Sequence, residues 1–113
     1  MAQEIGYKLE LAAVRSGFDG HRCWVHARAG AIPGAGAAGR PAVVLTMQEL
    51  LLAGSDVFYA LNDMRTDDLG QTWQGPREHE TLGRREEANG VVAVICDFTP
   101  KFHRAAGELL GIG

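Results

Sequence analysis

The chain has 113 residues, enough for one small domain with a single core. Hydrophobic residues make up 46% of the sequence and charged residues 22%, a composition typical of soluble globular proteins. The net charge of −3 gives no reason to expect nucleic acid as a partner. No apolar stretch approaches the roughly 20 residues of a membrane span, so we expect no membrane partner either.

Cysteine and glycine usage restricts the class of protein further. Cys23 and Cys96 are too few for a disulfide framework, so we expect reduced thiols. Residues 1–6 lack a basic region followed by an apolar run, so no signal peptide is visible and a cytoplasmic protein is the default expectation. The 15 glycines are spread between apolar runs, which indicates many turns in an all-β chain.

Residues 1–22 are predicted to form an N-terminal strand and a turn. Apolar and polar side chains alternate weakly in residues 1–15, most visibly in residues 5–11, which predicts a half-buried strand over residues 1–15. Residues 16–20 contain two glycines and an aspartate, which predict the turn.

Residues 23–29 predict the next strand, in which successive side chains point to opposite faces. The even-numbered side chains are therefore expected to share one face: Trp24, His26 and Arg28. The same alternation argues against a metal site at His21, Cys23 and His26, because the last two point apart and no fourth ligand is evident. We predict no metal and no cofactor.

The loop at residues 31–41 contains a G-x-G-x-x-G pattern formed by Gly34, Gly36 and Gly39. A dinucleotide site needs a strand before this pattern and a helix after it. Here Pro41 ends the loop and strand-like residues 42–48 follow. We therefore predict an exposed loop that does not bind a nucleotide.

Three further strands are predicted at residues 42–48, 57–63 and 71–75, from their content of β-branched and aromatic residues. The Gln-Gly-Pro sequence at residues 74–76 is expected to end the last of them. Asp63 and Arg65 stand close together before the final turn, where they could pair with each other, and we expect their role to be structural.

The turn at residues 66–73 has a distinctive composition. Asp68 is placed to accept backbone N–H groups, and Gly70 suits a position with positive φ. Trp73 supplies a large apolar surface beneath the turn. We predict a self-bonded hairpin corner, and an ordinary hairpin turn is the alternative. The pattern Ser/Thr-x-Asp-x-Gly-x-Thr-Trp is matched by Thr66, Asp68, Gly70, Thr72 and Trp73.

The last third of the chain begins with a polar stretch of mixed charge at residues 77–90, which predicts a solvated connection. Residues 91–98 form a near-continuous apolar run, typical of a strand buried on both faces. Residues 101–103 and 109–112 flank a glycine-containing turn and predict a hairpin. Residues 91–113 therefore begin a second series of strands.

Four strands in residues 23–76 followed by a second series match the repeated four-stranded sheets of a β-propeller. The pattern at residues 66–73 is the Asp-box, and residues 23–103 resemble the N-terminal part of sialidase (neuraminidase) six-bladed propellers. The resemblance implies about one and a half blades: residues 23–76 form the first, residues 77–90 the connection, and residues 91–113 the start of the second. We interpret the chain as a fragment of a longer protein.

Sialidases remove terminal sialic acid from glycans, so the resemblance implies a sialoside-like glycan substrate and an exo-glycoside hydrolase. In the family, arginines bind the substrate carboxylate, an aspartate is the acid/base, and a tyrosine assisted by a glutamate is the nucleophile. The family's Arg-Ile-Pro motif is here Ala31-Ile32-Pro33, so the nearest arginine is Arg28. Tyr59 is not the nucleophile, because that tyrosine comes much later in the family's chain.

The resemblance makes Arg28 and Asp97 the candidate catalytic residues, with Arg28 and His26 as substrate-binding residues. A structural ion pair is the alternative role for Arg28, and a turn cap is the alternative for Asp97. Because the nucleophile has no counterpart here, we expect no hydrolysis by the 113-residue chain alone. The alternative function is a non-catalytic Asp-box propeller that binds glycans or proteins.

Overall fold

In the computed structural model, which describes residues 4–54 and 57–113, the protein is all-β with antiparallel sheets. The main sheet has four strands in the order β1 (Arg22–Ile32), β2 (Ala42–Leu51), β3 (Val57–Thr66) and β4 (Gln74–Glu78). Two small two-stranded sheets follow, β5 (Arg85–Glu86) with β6 (Val92–Ala93) and β7 (Thr99–His103) with β8 (Glu108–Ile112). In the described ranges, helical turns are confined to the short 3₁₀ segments Ala37–Gly39, Glu80–Leu82 and Ala88–Gly90.

The first three strands predicted for residues 23–76 and the C-terminal hairpin are confirmed, whereas the fourth strand lies further along the chain than the predicted residues 71–75. The expected end of the fourth strand at residues 74–76 is wrong, because β4 begins at Gln74 and includes Pro76. β4 is hydrogen-bonded only to β3 and is therefore an edge strand. Proline has no backbone N–H, and it is tolerated in an edge strand where that group would point away from the neighbouring strand.

The predicted strand in residues 1–15 is wrong for the part of it that the structure describes. Residues 4–17 contain no strand, and the side chain of Tyr7 is 88% exposed. Alternating hydrophobicity produces a strand only where a neighbouring edge accepts the backbone groups. The only β-bridge involving this end of the described chain joins Phe18 to Cys23.

The predicted buried strand at residues 91–98 is also wrong. Only Val92–Ala93 are in a strand, and Val91 is 57% exposed. Residues 95–98 instead cross the main sheet as irregular backbone, held by side chains of β2. Gln48 Nε2 donates to Ile95 O at 2.7 Å, and Thr46 Oγ1 donates to Phe98 O at 2.8 Å.

One face of the main sheet carries a row of polar residues that spans all four strands. Arg28 pairs with Thr46, Thr46 with Asp63, and Asp63 with Arg77. Directly opposite residues of antiparallel strands point to the same face. We call these four residues the polar row, and the surface that they share the polar face.

A β-bulge in β1 changes the predicted alternation of its side chains. Val25 pairs with Gln48 and Arg28 with Thr46, so two residues of β1 oppose one residue of β2. The bulge includes His26, whose φ is 55°. Val25 therefore shares a face with Arg28, and Trp24 lies on the other face. The expectation that Trp24 shares a face with Arg28 is wrong.

The core of the protein is small and partly polar. Among the described residues, the buried apolar side chains include those of Ala42, Met47, Leu61 and Met64. Gln48 is completely buried and also donates to Tyr59 O at 3.0 Å, so it links β3 to residue 95 across the sheet. No helix in the described part of the chain has the length and apolar character needed to cross a membrane.

The β7–β8 hairpin packs against β1 at Gly30. A Cβ atom at Gly30 would lie only 2.6 Å from Pro100 O, so the backbone of the hairpin approaches the sheet more closely than any side chain would allow. Glycine at this position therefore lets residues 95–100 lie flat on the polar face.

Candidate functional site

The Asp-box residues form a self-bonded corner between β3 and β4. Asp68 accepts hydrogen bonds from Thr66 Oγ1, from Thr72 N and from Thr72 Oγ1, at 2.8, 2.9 and 2.6 Å. Gly70 N donates to Thr66 Oγ1 at 2.8 Å, and Trp73 Nε1 donates to Gly70 O at 3.2 Å. Gly70 has a φ of 89°, as its position in the pattern predicts.

These hydrogen bonds stabilise the ionised form of Asp68. The side-chain hydrogen bond from Thr72 is the main cause, followed by the backbone N–H of Thr72 and the hydroxyl of Thr66. Together they lower the pKa of Asp68 from 3.8 to about 2. The carboxylate is thus occupied by structural hydrogen bonds and is not available as a proton donor.

The corner is joined to the glycine-rich loop. Ala37 N donates to Asp67 O at 2.7 Å, and Arg65 Nε donates to Asp67 Oδ1 at 2.9 Å. Arg65 therefore pairs with Asp67 and not with Asp63, although both residues keep a structural role in ion pairs. Asp63 and Arg65 lie on an extended strand, so their side chains share a face but are held apart by the length of two residues. Asp67 is also two residues from Arg65, but it lies in the turn after β3, which brings its carboxylate back towards Arg65.

A second polar centre lies on the polar face and joins distant parts of the chain. Arg28 Nη2 donates to Asp97 Oδ1 at 2.6 Å, and Arg28 Nη1 donates to the carbonyl of Ala27 at 3.0 Å. Both charged side chains are partly exposed, 42% for Arg28 and 56% for Asp97. The structure therefore brings together the two residues that the resemblance made candidates for catalysis.

His26 is the third member of this centre. Its Nδ1 lies 3.7 Å from Asp97 Oδ1, too far for a hydrogen bond, and is buried without another partner among the described residues. The imidazole ring lies against Phe58, with 4.9 Å between ring centroids. The imidazole thus has an apolar contact on one side and a buried nitrogen without a hydrogen-bond partner near Asp97. We call Arg28, His26 and Asp97 the Arg28 centre.

Asp97 reaches Arg28 from a strained loop. Its sequence context predicts instead that it lies at the end of a buried strand. Its φ is 52°, which is uncommon outside glycine. Thr99 Oγ1 donates to Asp97 O at 3.1 Å, and the flanking carbonyls of residues 95 and 98 are bound by Gln48 and Thr46. The buried polar residues of β2 thus position Asp97 through its neighbours.

A third polar centre was missed from the sequence. Asp63 Oδ2 accepts from Arg77 Nη2 at 2.7 Å and also contacts His79 Nε2, and the Asp63 side chain is only 16% exposed. We call these three residues the Asp63 centre. The mixed charge of residues 77–90 predicts a solvated connection that includes Arg77 and His79. Arg77 and His79 are two residues apart and follow a strand that carries an aspartate. This spacing was the sequence signal that could have indicated the Asp63 centre.

No group of three or more His, Cys, Asp or Glu side chains among the described residues is placed to hold a metal ion. Cys23 and Cys96 are free thiols. Comparisons of the chain with models of protein families, with curated protein sequences and with solved structures found no match. The site must therefore be interpreted from its own geometry.

Proposed function

We propose that this chain is part of a sialidase-like β-propeller whose parent is an exo-glycoside hydrolase acting on sialosides. The four-stranded sheet would be one blade, with the Asp-box at its third turn. The β7–β8 hairpin would contribute to the next blade. The support for this fold is the order β1-β2-β3-β4 together with an Asp-box corner whose hydrogen bonds are complete.

The observation that carries the functional proposal is the convergence of Arg28, His26 and Asp97 on the polar face. A sialic acid carries one carboxylate, and arginine offers a planar fork that suits this group. Asp97 would serve as the acid/base, and His26, whose buried Nδ1 lies 3.7 Å from Asp97 Oδ1, would contact a polar group of the sugar once Asp97 is displaced. These are the chemical types that cleavage of a sialoside requires, apart from the nucleophile.

The ion pair between Arg28 and Asp97 limits how a substrate carboxylate can bind to Arg28. Asp97 occupies Arg28 Nη2, so a substrate carboxylate entering the same fork would meet a like charge. The incoming anion must therefore displace Asp97 from Arg28 or bind with uptake of a proton. Displacement is feasible because an exposed ion pair is worth only about 0.2–1 kcal/mol.

Titration of the isotope-labelled chain with sialic acid, followed by NMR, tests the proposal. We expect saturable shifts of the Arg28 and His26 signals in the unmodified chain, and weaker binding of sialic acid by the Arg28→Gln variant. The matched control is Arg85→Gln, because Arg85 is 65% exposed and also pairs with a carboxylate, that of Glu87. Absence of saturable shifts, or an equal effect of both variants, would falsify the proposal.

The alternative is a non-catalytic propeller that binds glycans. Two observations favour it: the residue before Ile32-Pro33 is Ala31, and Arg28 is already paired in the unbound protein. An enzyme site binds a flattened, transition-state-like sugar more tightly than the ground-state sugar. A 2,3-unsaturated sialic acid that binds no more tightly than sialic acid itself would favour the alternative.

A further inference from the structure

A cleft beside the Asp63 centre lies at the other end of the polar row from Arg28. It has a volume of about 490 Å³, within the range of small-molecule sites. β8 closes one side of it, and the main sheet forms the rest. The cleft is lined mainly by Val44, Asp63, Arg65, Gln74, Arg77 and Leu109.

The polar groups of the cleft face the same way because of a second bulge. Asp63 pairs with Arg77 and Arg65 with Gln74, so two residues of β4 oppose one residue of β3. Without the extra residue, Gln74 and Arg77 would point to opposite faces, since they are three apart. The bulge therefore gathers one carboxylate, two guanidinium groups and one amide around a single space.

The charges around the cleft cancel in pairs. Arg77 is paired with Asp63, and Arg65 with Asp67. A bound anion would gain no net attraction and would meet the carboxylate of Asp63. A cation would meet two guanidinium groups. The electrostatic environment thus favours an uncharged ligand.

The unbound cleft still offers both donors and acceptors. Arg77 uses only Nη2 towards Asp63, and no described residue accepts from its Nε or Nη1. Asp63 Oδ1 receives no hydrogen bond from the described side chains, because both recorded contacts reach Oδ2. Two adjacent hydroxyl groups of a ligand can each donate and accept a hydrogen bond, so they would match the free Arg77 donors beside the free Asp63 acceptor. Val44 and Leu109 provide an apolar surface for a ring with C–H groups on one face.

We propose that this cleft binds a neutral pyranose unit, with two adjacent hydroxyls shared between Asp63 and Arg77 and a third contacted by Gln74. His79 acts as a positioning residue. Its Nε2–H donates to Asp63 Oδ2, while its backbone N donates to Leu61 O at 2.8 Å. The backbone contact fixes His79, and the side-chain contact occupies Oδ2, which leaves Oδ1 of the carboxylate available to a ligand hydroxyl. The proposal is independent of hydrolase activity at the Arg28 centre.

The test is an NMR titration of the labelled 113-residue chain with the methyl pyranosides of glucose, galactose and mannose. At least one of them should give saturable shifts of the Gln74 amide and the Arg77 Nε–H. Gln74→Ala and Arg77→Gln should each weaken that binding about three- to tenfold, as expected for one hydrogen bond. Both residues are exposed, so both variants should fold.

Matched controls and a charged probe make the test decisive. Gln71→Ala and Arg85→Gln change exposed residues of the same types outside the cleft and should leave binding unchanged. Arg28→Gln should also leave it unchanged, which separates this site from the sialic acid site. The proposal is overturned if none of the three pyranosides binds, if the controls weaken binding as much as the cleft variants, or if glucuronate or inorganic phosphate binds more tightly.

Discussion

The Asp-box corner and the Arg28 centre are both organised around an aspartate, but they are assembled in different ways. All hydrogen bonds of Asp68 come from residues within four positions of it along the chain. Asp97 binds Arg28 across 69 positions, and only because residues 95 and 98 are attached to β2. A local motif supplies its own partners, whereas the Arg28 centre depends on how a glycine, a bulge and two buried polar side chains place separate segments.

The largest effect is expected from Gly30→Ala, which should break the Arg28 centre without touching its residues. The new methyl group would lie 2.6 Å from Pro100 O and push the hairpin from β1. Overpacking of this kind costs about 1–3 kcal/mol of unfolding free energy. Chemical denaturation should show the loss, and NMR should show Arg28 and Asp97 separated with the Thr72 amide unchanged. Gly6→Ala, with nothing within 4 Å, is the control.

A smaller effect is expected from Thr46→Val, which keeps the shape of a buried side chain and removes its hydroxyl. The hydroxyl donates to Phe98 O, so its loss leaves that carbonyl without this partner. We expect a decrease of about 1–2 kcal/mol in unfolding free energy and a looser Asp97 loop. Thr81→Val changes an exposed threonine and should have almost no effect. An equal loss in both variants would show that Thr46 does not hold the loop.

The Arg28–Asp97 pair itself should contribute less. A double-mutant cycle with Arg28→Gln and Asp97→Asn should give a coupling energy of about 0.2–1 kcal/mol that falls with added salt. Gly30→Ala should abolish this coupling. The same cycle for Arg65 and Asp67 should be insensitive to Gly30→Ala, because that pair is local. Persistence of the Arg28–Asp97 coupling in Gly30→Ala would contradict the proposed assembly.

The smallest effect on stability is expected at the corner, where Thr72→Val removes the main hydrogen bond that lowers the pKa of Asp68. The pKa should rise from about 2 towards 3.8, measured by NMR of the side-chain carboxyl carbon. Since the folded pKa lies below the unfolded value, this stabilisation is present above about pH 4 and is lost as the pH falls through 2. The Arg28 centre should be unaffected. A pKa that stays near 2 would show that Thr72 is not the principal cause.

The sequence predicted those parts of the fold that depend on neighbouring residues. The four strands of the main sheet, the Asp-box corner and the C-terminal hairpin all follow from short patterns of β-formers and turn residues. The exposed N-terminal segment and residues 91–98 were mispredicted for one reason. Their hydrophobic patterns suited a strand, but in the described structure residues 4–17 form no strand, and of residues 91–98 only Val92–Ala93 pair with another strand. Pairing cannot be deduced from composition.

Among the site residues, the sequence suggested Arg28, His26 and Asp97 only through a family resemblance, and the Asp63 centre was missed. The β-bulges in β1 and β4 are the reason. Each adds one residue to a strand and so reverses the side-chain alternation from which faces are predicted. The sequence by itself determined the Asp-box corner, because the donors and the acceptor of its hydrogen bonds lie close together along the chain. Only the tertiary structure decided which distant charges meet, because register and bulges are set by pairing between strands.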